Sequence, residues 1–236
     1  MNQIDFVGTS HVDQEAEGRI QKAFEVLKPN VITLEYPSDQ RGYIDFLNSS
    51  EWRKRIRAIE MGSSPEEAIT SSSDQPTIKY GSEITALQRI YEETETPLYC
   101  VDSLRAKIKM LMSSYAVEMA EELREMDTNG TEDETRDMYT LFGEHFQENG
   151  NKRKIGNLLR IYKKRLILTR YREISQRNRI RKILNISPYE PIRLMHVGGL
   201  AHLADIKGFS TLYSLSKKVF PPSSFKINRH TLNEFD

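Results

Sequence analysis

The chain has one cysteine, Cys100, in 236 residues, which excludes an intrachain disulfide and a cysteine-rich metal centre and suits a reducing compartment. It also lacks net charge. Its 34 Lys and Arg balance 34 Asp and Glu, so no global field draws it toward nucleic acid or a membrane surface. No run approaches the roughly 20 apolar residues that cross a bilayer as a helix. Met1 leads almost at once into an apolar run, so no signal peptide is expected. Together these absences lead to the expectation of a cytoplasmic protein with no membrane segment. No internal repeat and no linker divides the chain, and the length is sufficient for a single domain with a real core.

What stands out is a short pattern used twice. Val7-Gly8-Thr9-Ser10-His11 closes the first apolar run, and Val197-Gly198-Gly199-Leu200-Ala201-His202 closes a late one. In each, a glycine breaks the run and a histidine comes soon after. A glycine suits the tight exit of a strand from a sheet, and residues just beyond strand carboxyl ends build the sites of open α/β folds.

The intervening chain reads accordingly. Ile4-Asp5-Phe6-Val7 is a buried strand, and Asp13 is placed to cap a helix whose Ile20, Ala23, Phe24 and Leu27 share one face. Lys28-Pro29-Asn30 stops that helix, and Val31 to Leu34 form a second strand ending at Glu35. This is a βαβ unit, so the strands should be parallel and their carboxyl ends share one edge. Ser82 begins a helix carrying Ile84, Leu87, Ile90 and Tyr91, which leads into a strand over 97–101 ending at Asp102. A strand over 192–197, a helix over about 208–219 and an extended 225–228 close the chain. The expected fold is α/β, a mostly parallel sheet of βαβ units in a single domain of 1–236, with a long charged helical insertion over about 104–185.

That insertion is acidic from Glu118 to Asp137 and basic from Lys152 to Lys182. Acidic and basic arms that neutralise each other across an antiparallel pair are the simplest reading, and the insertion is also the surface offered for self-association. Nucleic-acid binding by the basic arm is disfavoured, because only Tyr162 and Tyr171 interleave it with aromatics.

The rim residues define the chemistry. His11, His202 and Glu83 make a two-histidine, one-carboxylate set able to hold a divalent metal with positions left open. Glu35 is the alternative to Glu83 as ligand or general base. Arg41 is the candidate to grip a substrate carboxylate, and Asp102 is a reserve substrate contact or an N-cap for Ser103-Leu104-Arg105. The same residues can instead cap strand ends without chemistry. His196 falls in an apolar run and is expected in the core, whereas His145 and His230 have polar neighbours and are expected at the surface.

Taken together, these residues resemble the TraB/PrgY family, related to the TIKI proteases and more distantly to the erythromycin-esterase/ChaN-like superfamily. The resemblance runs through Gly8-Thr9-Ser10-His11, Leu34-Glu35 with Arg41, Gly81-Ser82-Glu83, Asp102-Ser103, Arg170-Tyr171-Arg172-Glu173 and Val197 to Ile206. Ser103 and Asp205 depart from the family pattern of arginine and glycine. The resemblance implies a parallel-sheet core with its site at the carboxyl edge. By analogy with TIKI it also implies a metal-dependent peptidase using both histidines and a glutamate, with Mn, Co or Zn as cofactor and a peptide as substrate. TraB/PrgY members are known for shutting down a peptide pheromone. Two alternatives stay open at this point. One is a metal-free hydrolase with a histidine base, and the other is a module that sequesters a peptide without cleaving it.

Overall fold

The computed structural model describes residues 1–10, 13, 15–37, 82–105, 108, 132–148, 155, 166–206 and 210–236. The strands are β1 (Asn2–Thr9), β2 (Val31–Pro37), β3 (Leu98–Asp102), β4 (Arg193–Gly199) and β5 (Phe225–Thr231). The helices are α1 (Ala16–Leu27), α2 (Ser82–Thr94), α3 (Glu132–Glu148), α4 (Leu166–Ile186) and α5 (Leu212–Val219). Single 3-10 turns at Leu200–Leu203 and Leu232–Phe235 come directly after β4 and β5.

The five strands form one sheet in the order β3-β2-β4-β1-β5, and every pairing is parallel. The fold is therefore α/β, as the pattern of the sequence implies. β1 and β2 are parallel but not neighbours, because β4 lies between them and pairs with both. Its run from Leu194 to Gly199 is buried throughout, which suits the centre of a sheet covered on both faces. The chain thus moves outward from β1 to β2 and β3, returns to the centre as β4, and finishes at the opposite edge with β5 alongside β1.

Strand alternation divides the core into two layers. On one face Val7, Ile32, Leu34, Met195 and Val197 meet Ile20 and Ala23 of α1, Leu87 and Ile90 of α2, and Tyr139 and Phe142 of α3. On the other, Ile4, Phe6, Val31 and Leu194 meet Ile180, Ile183 and Leu184 of α4, with Leu212 and Tyr213 of α5. Helix α1 ends where expected. Lys28 takes a left-handed φ of 47° and its N–H closes on the Phe24 carbonyl. Helix α5 begins at Thr211, whose hydroxyl accepts from the Ser214 N–H at 3.2 Å.

Two histidines depart from expectation. His145 is fully buried, because α3 turns Tyr139, Phe142 and His145 inward at three-residue spacing; its Nε2 accepts from the Asp205 N–H at 3.1 Å. His230 is half-buried between Asp5 and Glu234, at 3.3 and 3.1 Å. Both described helices of the charged segment lie against the sheet, one on each face. Most of the acidic arm lies outside the described residues. In the basic arm, Arg172 is paired with carboxylates of the sheet. Among the described residues, no helix is long and apolar enough to cross a membrane.

Candidate functional site

Parallel strands place their carboxyl ends on one rim, and β2, β3 and β4 deliver Glu35, Asp102 and the turn bearing His202 there. Helix α4 crosses the same face and adds Arg172, Glu173 and Gln176, while its next turns supply the apolar anchor Ile180, Ile183 and Leu184. The polar and apolar groups thus occupy successive lengths of one helix.

Arg172 organises the cluster. Its Nε lies 3.0 and 2.9 Å from the two Asp102 carboxylate oxygens, and Nη2 lies 2.8 Å from Oδ2, a fork-on-fork pairing. The same Nη2 donates to Glu35 Oε1. Gln176 adds a 3.2 Å bond to Asp102, and the Ser103 N–H donates to that carboxylate at 2.8 Å, so Asp102 also caps the chain beyond β3. Glu35 accepts from the Gly199 N–H through Oε2 at 2.9 Å. Its Oε1 stands 3.1 Å from His202 Nε2, and His202 Nδ1 meets Glu173. His202 is therefore gripped by a carboxylate on each ring nitrogen.

Glu35 and Asp102 share the Arg172 guanidinium, and Glu173 stands against His202. Burial opposes protonation of His202, but Glu173 and Glu35 outweigh it and lift its pKa to about 10. Burial also raises Glu173, against the pull of His202.

His196 has the opposite character. Fully buried between β1 and β2, it is pushed by burial down to about 4 and is neutral at physiological pH. Its Nδ1 hydrogen-bonds Thr33 Oγ1 at 3.0 Å, whereas Nε2 has no hydrogen-bond partner among the described residues. Glu173 Oε2 and Gln176 Oε1 are likewise buried without a hydrogen-bond partner among the described residues. Such atoms are rare in folded proteins and mark places that solvent or a ligand completes.

Of the residues expected from sequence, Glu35, Asp102 and His202 come together. Glu83 meets the end of β1 at Thr9. Its carboxylate accepts from the Thr9 hydroxyl at 3.2 Å, and that hydroxyl also lies 3.4 Å from the Gly198 carbonyl oxygen. His11 and Arg41 lie outside the described residues. The residues flanking His11 are well anchored, since Tyr139 receives the Ser10 N–H at 3.0 Å and donates to Asp13 at 2.7 Å.

Sequence reasoning gave no role to Arg172, Glu173, Gln176 or Thr33. Arg172 and Gln176 are four apart on a helix and continue toward Ile180, Ile183 and Leu184, a stripe that does place them inward. The surrounding charge run concealed it.

The donors fit a divalent cation in part. His202 Nε2 and Glu35 Oε1, at 3.1 Å, have the spacing of neighbouring ligands whose bonds are each about 2 Å. Glu173 supplies the outer carboxylate that metal-bound imidazoles commonly have on the far nitrogen. Among the described residues, no three His, Cys, Asp or Glu side chains form a metal-holding group. No protein-family model matches this chain, and no curated protein or solved structure shows significant similarity to it.

Proposed function

We propose that this chain is a metal-dependent hydrolase acting on a peptide, with its reaction centre at Glu35, His202 and Glu173. The observation that carries the proposal is the grip of Glu35 and Glu173 on the two nitrogens of one half-buried histidine at the carboxyl edge of a parallel sheet. A purely structural role explains this poorly, because a buried ionic cluster is often no more stable than apolar residues of similar volume. Strongly shifted groups gathered at a strand edge are a recognised mark of function.

In this reading His202 and Glu35 are ligands of the cation, and Glu173 orients the imidazole. Glu35 also receives the proton of the attacking water, and Glu83 serves if Glu35 is fully occupied as a ligand. The cation, when bound, supplies Lewis acidity to a substrate carbonyl and to water. Arg172 holds Glu35 in position while neutralising Asp102. The third ligand is His11, as the motif resemblance to the TraB/PrgY family implies, and Arg41 grips the substrate. The proposal places the protein in the cytoplasm, in keeping with its lone cysteine.

A peptide-library cleavage screen with Mn, Co or Zn, repeated in excess chelator, tests the proposal. Turnover that needs the metal and disappears in His202→Ala supports it. Full turnover in chelator would favour a second reading, a metal-free hydrolase in which protonated His202 is the general acid. The pKa of about 10 favours that protonated form. An intact peptide retained in a tight complex would instead indicate sequestration.

A further inference from the structure

We infer that one outer flank of α4 is a docking surface for an acidic peptide, which lies along Arg170, Arg177 and Arg181. Helix α4 carries six basic residues and one acidic residue, Glu173, which is buried against His202. Arg172 is occupied by Asp102 and Glu35, and Arg179 donates to the Asp102 carbonyl oxygen. Arg170, Arg181 and Lys182 are exposed and Arg177 is half-buried; among the described residues none of these four meets a carboxylate. Arg177 forks on Asn178 Oδ1 at 3.2 and 2.6 Å, a neutral acceptor that leaves its charge uncompensated. Elsewhere on the surface Arg19, Arg89 and Lys217 each have a carboxylate partner.

The three arginines form a line. They fall at i, i+7 and i+11, within roughly 40° of one another around the helix axis, whereas Lys182 stands about 120° away. Along the axis they are about 10 and 6 Å apart. These are steps of two to three residues in an extended chain at about 3.3 Å per residue, so a peptide dense in Glu and Asp can meet all three guanidinium groups.

A nucleic acid fits less well. Tyr171 is the one aromatic residue of α4, where single-strand sites use several to stack successive bases. The whole chain has no net charge, so a long phosphate backbone finds no extended positive field beyond this helix. A short acidic segment asks for no more than the stripe itself. Arg170 and Arg177 also bracket the inward-facing Arg172, Glu173 and Gln176, so the stripe runs beside the proposed reaction centre on the helix that helps to build it. The inference names acidic peptides as the substrate class; it rests on the hydrolytic reading for the fate of the peptide but not for its binding.

Fluorescence anisotropy at low salt, without added metal, tests the inference with three labelled probes: a short Glu-rich peptide, its Gln counterpart and a single-stranded RNA of equal charge. The Glu-rich peptide is expected to bind on the order of 10-fold tighter than the Gln peptide and to weaken as salt is added. Arg170→Gln, Arg177→Gln and Arg181→Gln together should remove that advantage, since each exposed pair contributes roughly two- to five-fold. Lys182→Gln, on the other flank, should change the affinity less than about two-fold. Equal affinity for the two peptides, undiminished binding by the triple variant, or tighter binding of the RNA would each overturn the inference. The comparison of peptides on the parent chain decides if the triple variant does not fold. Binding of the Glu-rich peptide without cleavage in any of the three metals refutes the hydrolytic reading alone. Cleavage of peptides regardless of their acidity refutes the docking surface and leaves metal-dependent turnover standing.

Discussion

Arg172→Met separates a buried ionic cluster from an ordinary surface ion pair. The side chains of Arg172, Glu35 and Asp102 are 6%, 4% and 0% exposed, so solvent can neither screen nor replace the guanidinium. Its removal takes the fork from Asp102 and one of several partners from Glu35, while methionine fills most of the volume. Breaking such a pair typically costs about 3–5 kcal/mol, against about 0–1 for an exposed one. That is a large share of the roughly 5–15 kcal/mol that holds a domain together. Urea unfolding followed by circular dichroism should show the midpoint falling by about 1–2 M with an unchanged slope. Adding Asp102→Leu removes the abandoned carboxylate, and the double variant should recover on the order of 2 kcal/mol relative to additivity. A loss under about 1 kcal/mol, or strict additivity, would refute the view of Arg172 as the organising residue.

The same geometry sets other outcomes. Gly198→Ala should destabilise the fold by about 1–3 kcal/mol, because the added methyl meets Glu35 Oε2 at 2.8 Å and His196 Nε2 at 3.0 Å. Gly18→Ala, exposed within α1 and with nothing within 4 Å of the new Cβ, should stabilise by about 0.5–1 kcal/mol. Thermal melts of the two variants should move in opposite directions. Tyr139→Phe takes the partner from the Ser10 N–H and from Asp13 Oδ2, while Arg19 and the Glu15 N–H keep Oδ1, and should cost about 1–3 kcal/mol, again read by melting. Burial works against His230, but Asp5 and Glu234 lift it from 6.5 to about 9. Its contribution is then full below about pH 6.5 and is lost as pH rises through about 9, so His230→Gln should flatten that alkaline decline in a stability–pH profile.

Much of the sheet was legible because hydrophobic periodicity reports local structure. The β1–α1–β2 unit, the stop at Lys28 and the burial of His196 all arise from residues within a few positions of one another. The insertion of β4 between β1 and β2 does not, since periodicity says nothing about which strands pair. Glu35, Asp102 and His202 were legible as residues at strand ends. Arg172 and Glu173 stood in a family-like motif without a role, because one inward-facing arginine cannot be told from its many outward neighbours by composition. His145 was misplaced at the surface for the same reason, its neighbours in sequence being polar while its neighbours on the helix face, Tyr139 and Phe142, are buried. His230 was misplaced because its partner Asp5 lies 225 residues away on an adjacent strand.

The central claim is that Glu35 and His202 receive a divalent cation. Isothermal titration of Mn, Co or Zn into the protein, run in buffers of different ionisation enthalpy, measures this most directly. The account predicts one site that is lost in both His202→Ala and Glu35→Gln. It also predicts the release of close to one proton per ion near neutral pH, because the cation displaces the proton on an imidazole whose pKa is about 10. No binding of any of the three metals, or binding that survives both substitutions, would contradict it.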